Sequence, residues 1–197
     1  MIVITGATGR LGRLAVEHLI ARSVPPSGIA VAVRDPARAA DLAARGVDVR
    51  EGDYDRPETL RTAFAGADKL LLVSANAPDN ALRIAQHTNA IAAAEAAEVR
   101  HVVYTSIVEA DTNPLSLAVV HKATEQAIRA TGITSTFLRN GWYFENYTAG
   151  LPAAVERGGI VGTAADGRIA AASIADFAEA AAVVLSTDGH EGRAYEL

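Results

Sequence analysis

At 197 residues the chain suffices for one well-filled domain, or one domain with a small appended lobe. Half of the residues are hydrophobic, 21% are charged and none is cysteine, which excludes a disordered segment, a disulfide scaffold and thiolate chemistry. The net charge of −5 argues against a nucleic-acid partner, and no apolar run reaches membrane-spanning length.

The N-terminal residues carry no basic leader, and with the lack of cysteine this points to a reducing cytoplasm. Short β-branched runs then alternate with longer alanine-rich ones. A strand at Ile2 to Thr5 leads through a glycine turn into a helix at Leu11 to Arg22. Ile29 to Val33 reads as a strand, Ala37 to Ala44 as a helix, Val47 to Arg50 as a strand and Pro57 to Ala63 as a helix. Lys69 to Val73 and His101 to Thr105 are strands, separated by a helix over Asn80 to Ala97. A helix at Leu117 to Ala130 and a strand at Thr134 to Leu138 complete the alternation. Near-continuous apolar strands between amphipathic helices predict an α/β fold, a doubly wound parallel sheet with helices on both faces. Asp35-Pro36 should open the second helix, and Gly46 and Gly132 should close the second and fifth. The regularity fades after Asn140, before a helix at Ser173 to Leu185 and a last strand at Ala194 to Leu197. Residues 1–140 are therefore expected to form a cofactor-binding core, and 141–197 a partial substrate lobe with a returning helix and strand.

Gly6-Ala7-Thr8-Gly9-Arg10-Leu11-Gly12 lies between the first strand and the first helix. The first glycine permits the tight turn, the second lets backbone approach a pyrophosphate, and the third lets helix pack on strand. Dinucleotide binding is the expected consequence. The residue closing the second strand meets the adenosine ribose, and here it is Arg34, with Arg38 one turn on. A guanidinium suits a 2′-phosphate, so NADP (NADPH) is favoured over NAD, while Asp35 is expected to cap the next helix. The GxxGxxG spacing with Thr8 resembles the extended and atypical short-chain dehydrogenase/reductase families, which have a Rossmann sheet. In those families an Asp after the third strand meets the adenine, which makes Asp53 and Tyr54 candidate contacts; a turn with Asp55 capping the helix at Pro57 is the alternative. The backbone of Ser74, Ala75 and Asn76 would line the ribose on the nicotinamide side.

Most short-chain dehydrogenases use a tyrosine whose acidity is raised by a lysine four residues later. The chain has only two lysines, Lys69 and Lys122, and alanine stands four positions before each. His121 fills the tyrosine's slot on the fifth helix and Glu125 the lysine's. Alcohol–ketone exchange by the customary acid is therefore disfavoured. Hydride transfer to a quinone asks less, because the charge spreads over both oxygens and water can supply protons; the site needs mainly to stack a flat ring.

Two long stretches narrow the resemblance: Tyr104 to Leu115 continuing to His121, and Phe137 to Tyr147. Both resemble the bacterial type 2 NAD(P)H:quinone oxidoreductases, NmrA-like atypical short-chain dehydrogenases. The resemblance implies NADPH-dependent reduction of a small quinone-like substrate. It places Asn140, Gly141 and Trp142 at the nicotinamide end and Tyr143 along the substrate cleft, with Thr105 and Ser106 at a ligand-binding strand end. His121, Tyr143 and Asn140 are the catalytic candidates. Trp142, Tyr143, Phe144 and Tyr147 could instead be an aromatic cluster sealing a sheet edge. His87, Gln86 and Asn89 are expected to pack or bond to backbone, and no histidine has carboxylates at metal-ligand spacing. Members of this family usually continue for several tens of residues, so the substrate lobe is expected to be truncated. A homodimer through the fourth and fifth helices follows by fold analogy. Two other functions share these features: a redox sensor that binds the dinucleotide without catalysis, and a reductase or isomerase of another small carbonyl compound with His121 or Tyr143 as donor.

Overall fold

A computed structural model describes residues 1–160, 162 and 166–197. Part of the lobe expected after Asn140, positions 161 and 163–165, lies outside the described residues. Six strands run β1 Ile2–Thr5, β2 Ile29–Val33, β3 Asp48–Glu51, β4 Lys69–Leu72, β5 His101–Ile107 and β6 Thr134–Asn140. With the short β9, Ala194–Glu196, they form a sheet in the order β3-β2-β1-β4-β5-β6-β9, and every neighbouring pair is parallel. The direction of winding reverses between β1 and β4, and the crevice above that point is where such sheets bind ligands.

Alternation along each strand feeds two cores. Val3, Leu70, Leu72 and Tyr104 face α3 (Pro57–Phe64), α4 (Asn80–Ala96) and α5 (Ser116–Thr131), whereas Ile4, Leu71 and Val103 face α1 (Arg10–Ala21) and α8 (Ile174–Ser186). The abundance of alanine has a packing use here: Ala15, Ala178, Ala181 and Ala182 are fully buried between α1 and α8, so the two helices approach closely. The second helix starts later than its sequence suggests. Pro36–Ala39 is a 3₁₀ turn, and only Ala40–Ala44 (α2) is α-helical. Asp35 caps this turn by accepting the Ala37 N–H, and both Gly46 and Gly132 adopt positive φ at helix ends.

Beyond β6 the chain forms elements too short to carry a periodic signal. β7 (Trp142–Tyr143) pairs with β8 (Ala171–Ala172), and between them lie α6 (Glu145–Thr148) and α7 (Leu151–Arg157). Ser173 and Asp176 then close a capping box that starts α8.

Candidate functional site

One cleft of about 1300 Å³ opens along the carboxyl ends of β1 to β6. Every residue singled out from the sequence as a ligand contact or catalytic candidate lines it, from Gly6 to Tyr143. They do not all offer their side chains to it.

The end above β1 is made of backbone. Gly6 turns with φ +65°, and its carbonyl accepts the Gly9 N–H at 2.9 Å. A Cβ on Gly12 would stand 2.6 Å from the Gly6 carbonyl oxygen, so only glycine lets α1 start this close to β1. No side chain caps α1, and no acidic residue sits in its first turn. The helix dipole and its leading N–H groups thus remain available to a pyrophosphate, which is the donor set that group requires. Arg10 reaches from this end toward the lobe, 3.8 Å from Glu145, whose carboxylate accepts the Ile174 N–H.

At the edge above β2, Arg34 and Arg38 line the cleft and pair with no carboxylate among the described residues. Asp35 is occupied with its cap. An unpaired guanidinium beside a carboxylate already engaged elsewhere fits a phosphorylated ribose. Asp53 is partly consumed by its own turn, accepting the Asp55 N–H at 3.0 Å with Arg56 3.6 Å away. Asp55 does not cap the helix at Pro57: it accepts from Gln86 Nε2, and α3 begins without a side-chain cap. The Tyr54 hydroxyl turns into the sheet top, against Thr5 Oγ1 at 2.6 Å and the Val73 carbonyl at 2.9 Å, and burial raises its pKa. Any adenine contact from Tyr54 would therefore come from its ring.

Toward β5 and β6 several side chains brace the framework. Thr105 Oγ1 accepts the Ser74 N–H at 2.9 Å, and His87 Nε2 accepts the Ala75 N–H at 2.8 Å, so both hold the strand end that Asn76 continues. Because Thr124 Oγ1 donates to the Val120 carbonyl, His87 Nδ1 must donate to it, which fixes the tautomer. Burial lowers the His87 pKa to about 4 and keeps it neutral. The Ser106 hydroxyl donates to Glu125 Oε1 at 2.6 Å. Glu125 is fully buried and grips Arg139 through 2.7 Å and 3.0 Å bonds, while Arg139 also holds Asp111 and Glu196. The slot expected for a catalytic lysine therefore holds a structural ion pair.

His121 is 5% exposed, and burial lowers its pKa to about 3. Its Nδ1 lies 2.8 Å from the Tyr104 hydroxyl, which burial keeps protonated and able to donate to it. In the tautomer that accepts this bond, Nε2 carries the imidazole proton, and it has no protein partner among the described residues. The Tyr143 hydroxyl, likewise kept protonated by burial, accepts from Asn140 Nδ2 at 3.4 Å, and its ring packs on Phe177. Asn140 Oδ1 is buried without a partner, a free acceptor suited to an amide N–H. Gly141 lines the cleft too, but a Cβ there would meet the Ala170 carbonyl at 2.7 Å, so strand crossing alone demands glycine. The aromatic residues do not seal an edge: Trp142, Phe144 and Tyr147 are 41%, 50% and 45% exposed, and Tyr143 alone packs inward.

Sequence reasoning missed Arg83, Asn113, Leu115 and the Arg168–Ala170 segment, all of which line the cleft. One signal existed: Arg83 falls on the face of α4 that also carries His87, Ala90 and Ala94, an inward stripe where a cation is out of place. Asn113 and Leu115 sit on a loop with no periodicity. Among the described residues no group of three or more His, Asp or Glu could hold a metal, and no helix is long and apolar enough to cross a membrane.

An uncapped helix behind a glycine turn, at the switch point of a parallel sheet, defines a dinucleotide-binding Rossmann protein. The chain matches the NAD(P)H-binding family over residues 6–183 and belongs to it. Quinone oxidoreductase 2 of Escherichia coli (strain K12) is 51% identical over 197 residues, covering all of this chain and 68% of that protein. Among solved structures, an Escherichia coli NADPH-dependent quinone oxidoreductase complexed with NADPH superposes with a TM-score of 0.95 at 51% identity. A Citrobacter sp. triphenylmethane reductase complexed with NADP(H) gives 0.96 at 47% identity; each match covers all of this chain and 69% of the other.

Proposed function

We propose that the protein binds NADPH and delivers its hydride to a quinone-type acceptor. The observation that carries this reading is His121. The position of the customary acid holds an imidazole kept neutral by burial and fixed by Tyr104, with no lysine to assist it. An acceptor that spreads its own charge needs no strong acid, and a quinone is such an acceptor. The NADPH-bound quinone oxidoreductase and the reductase of triphenylmethane dyes, both close in fold and sequence, support an acceptor with a flat conjugated ring.

In this reading Gly6, Thr8, Gly9, Arg10, Leu11 and Gly12 cradle the pyrophosphate, and Arg34 with Arg38 takes the 2′-phosphate. Asp53 and the Tyr54 ring border the adenine, and Ser74, Ala75 and Asn76 the ribose, held in place by Thr105 and His87. Asn140 Oδ1 accepts from the carboxamide, and Trp142 and Tyr143 wall the acceptor. Bound NADPH supplies the hydride. The residues around it orient the ring and exclude water, and Ser106 keeps the Glu125 pair in register beneath them. Residues 1–140 act as the cofactor-binding core and 141–197 as part of a substrate lobe. A cytoplasmic enzyme and a homodimer through α4 and α5 belong to the same reading; Val119, exposed on α5, offers apolar surface for the contact.

A steady-state assay with NADPH and a simple benzoquinone tests the proposal. Loss of NADPH matched by hydroquinone formation is the expected result. A folded protein that binds NADPH and never oxidises it would be a sensor instead.

A further inference from the structure

Two arginines lie at equal depth in this protein, and they are treated in opposite ways. Arg139 and Arg83 are each 8% exposed. Arg139 is surrounded by Glu125, Asp111 and Glu196. Arg83, on the first turn of α4, has no carboxylate within ion-pairing distance among the described residues, and its buried Nε has no hydrogen-bond partner. The titratable groups that face it are His87 from its own helix, His121 from α5 and the Tyr104 hydroxyl from β5, all neutral. Gln86, beside it, spends its amide N–H on Asp55 and leaves Oε1 unsatisfied. A buried, unpaired guanidinium destabilises a fold unless something outside the chain brings the counter-charge. Arg83 lines the cleft, so the cleft is where that charge arrives.

The cofactor's own anions already have donors elsewhere. The pyrophosphate has the start of α1 and the 2′-phosphate has Arg34 and Arg38, all on the β1–β2 side of the switch point. Arg83 stands on the other side, on α4, which packs against α5, the helix that carries His121, and is tied to its start by the Asn80–Ser116 bond. We propose that Arg83, together with the Nε2–H of His121, forms an oxyanion pocket that holds the acceptor's oxygen as it becomes negatively charged.

This inference rests on the hydride-transfer reading above and says where the charge goes. A quinone that gains a hydride gains two electrons and one hydrogen, and leaves NADP⁺ as the oxidised product. It becomes a monoanion with the charge on oxygen, and one proton from water then completes the hydroquinone. Arg83 gives up no proton in this sequence; it donates hydrogen bonds and a fixed charge. Because the guanidinium is carried on α4 at the cleft wall with its Nε already buried, it needs little reorganisation when the charge appears. The pocket also selects among acceptors, favouring those whose reduced form bears its charge on an oxygen that can reach α4.

The test reads charge directly. 4-Nitrophenol absorbs differently as phenol and phenolate, and it mimics the half-neutral, half-anionic ring. With the full chain saturated with NADP⁺, titration should show bound nitrophenol ionising at lower pH than free nitrophenol, by about one unit, a tenfold preference for the anion. Arg83→Met should abolish that preference and Arg83→Lys should restore part of it. In the quinone assay Arg83→Met should lower kcat by about a hundredfold, the scale of an oxyanion-donor loss, with the NADPH dissociation constant unchanged. Melting temperature separates this from a structural role: removing an uncompensated buried charge should hold or raise it, whereas a structural arginine would lower it. Absence of a phenolate preference, or its survival in Arg83→Met, would overturn the pocket. So would weaker NADPH binding in that variant, which would assign Arg83 to the cofactor. A phenolate preference lost in Arg83→Met, in a protein that reduces no quinone, would leave the pocket standing and remove the quinone reading instead.

Discussion

The two ends of the cleft are built from different materials. Above β1 and β2 the cleft is lined mainly by backbone, the Gly6–Gly12 turn and the uncapped start of α1, with two exposed arginines at a strand end. Above β4 to β6 it is lined by side chains from α4, α5, the end of β6 and β7, namely Arg83, His121, Asn140 and Tyr143. Backbone sites are set by sterics and cannot drift without losing the fold. Side-chain sites can be refitted one residue at a time, which is how one cofactor platform can serve many acceptors.

Gly12→Val should break the first end outright. The branched side chain would be driven into the Gly6 carbonyl, so NADPH binding measured by calorimetry should fall by more than about a hundredfold, with about 1–3 kcal/mol lost in urea unfolding. Arg34→Asp sharpens the same end without disturbing its backbone. NADPH affinity should drop about ten- to a hundredfold while NADH affinity changes little, and equal losses for both would remove the 2′-phosphate assignment.

At the second end the histidines make the contrast measurable by pH. His87 and His121 titrate near 4 and 3 in the folded chain, against 6.5 for a free imidazole. Below pH 6.5 the unfolded chain takes up protons that the folded one refuses, so these residues make stability fall on acidification, each by up to about 1.4 kcal/mol per pH unit. Urea unfolding between pH 7 and pH 5 should show a shallower slope in His87→Gln than in the parent. The smallest effect belongs to the rim. Trp142→Ala removes a half-exposed side chain and should raise KM for a benzoquinone a few-fold, leaving NADPH binding unaltered.

The same division decides what could be read in the sequence. The strands of the sheet and the glycine turn were visible because steric demands leave periodic runs and fixed glycine spacing, and Asp35 announced its cap through the proline that follows. The absence of the Tyr–Lys pair was certain from two lysines. What stood in its place was not: Glu125 looks like a lone acid on a helix until β6 brings Arg139 against it from 14 positions away. Ser106 and Thr105 were placed at the cleft correctly, but the direction of a hydroxyl depends on partners such as Glu125 and Ser74 that only the packed sheet supplies. Arg83 escaped notice because its meaning lies in missing partners. The elements from β7 to β8 escaped because two to seven residues are too few to display a period.

The central claim is that the cleft passes a hydride to an acceptor that needs no strong acid. Single-turnover mixing of the NADPH-loaded protein with benzoquinone, followed by absorbance and by product analysis, tests it most directly. The account predicts one hydroquinone per NADPH consumed, at a rate that varies little across the neutral pH range where His121 stays uncharged. NADPH that remains bound and reduced in the presence of excess quinone would contradict it.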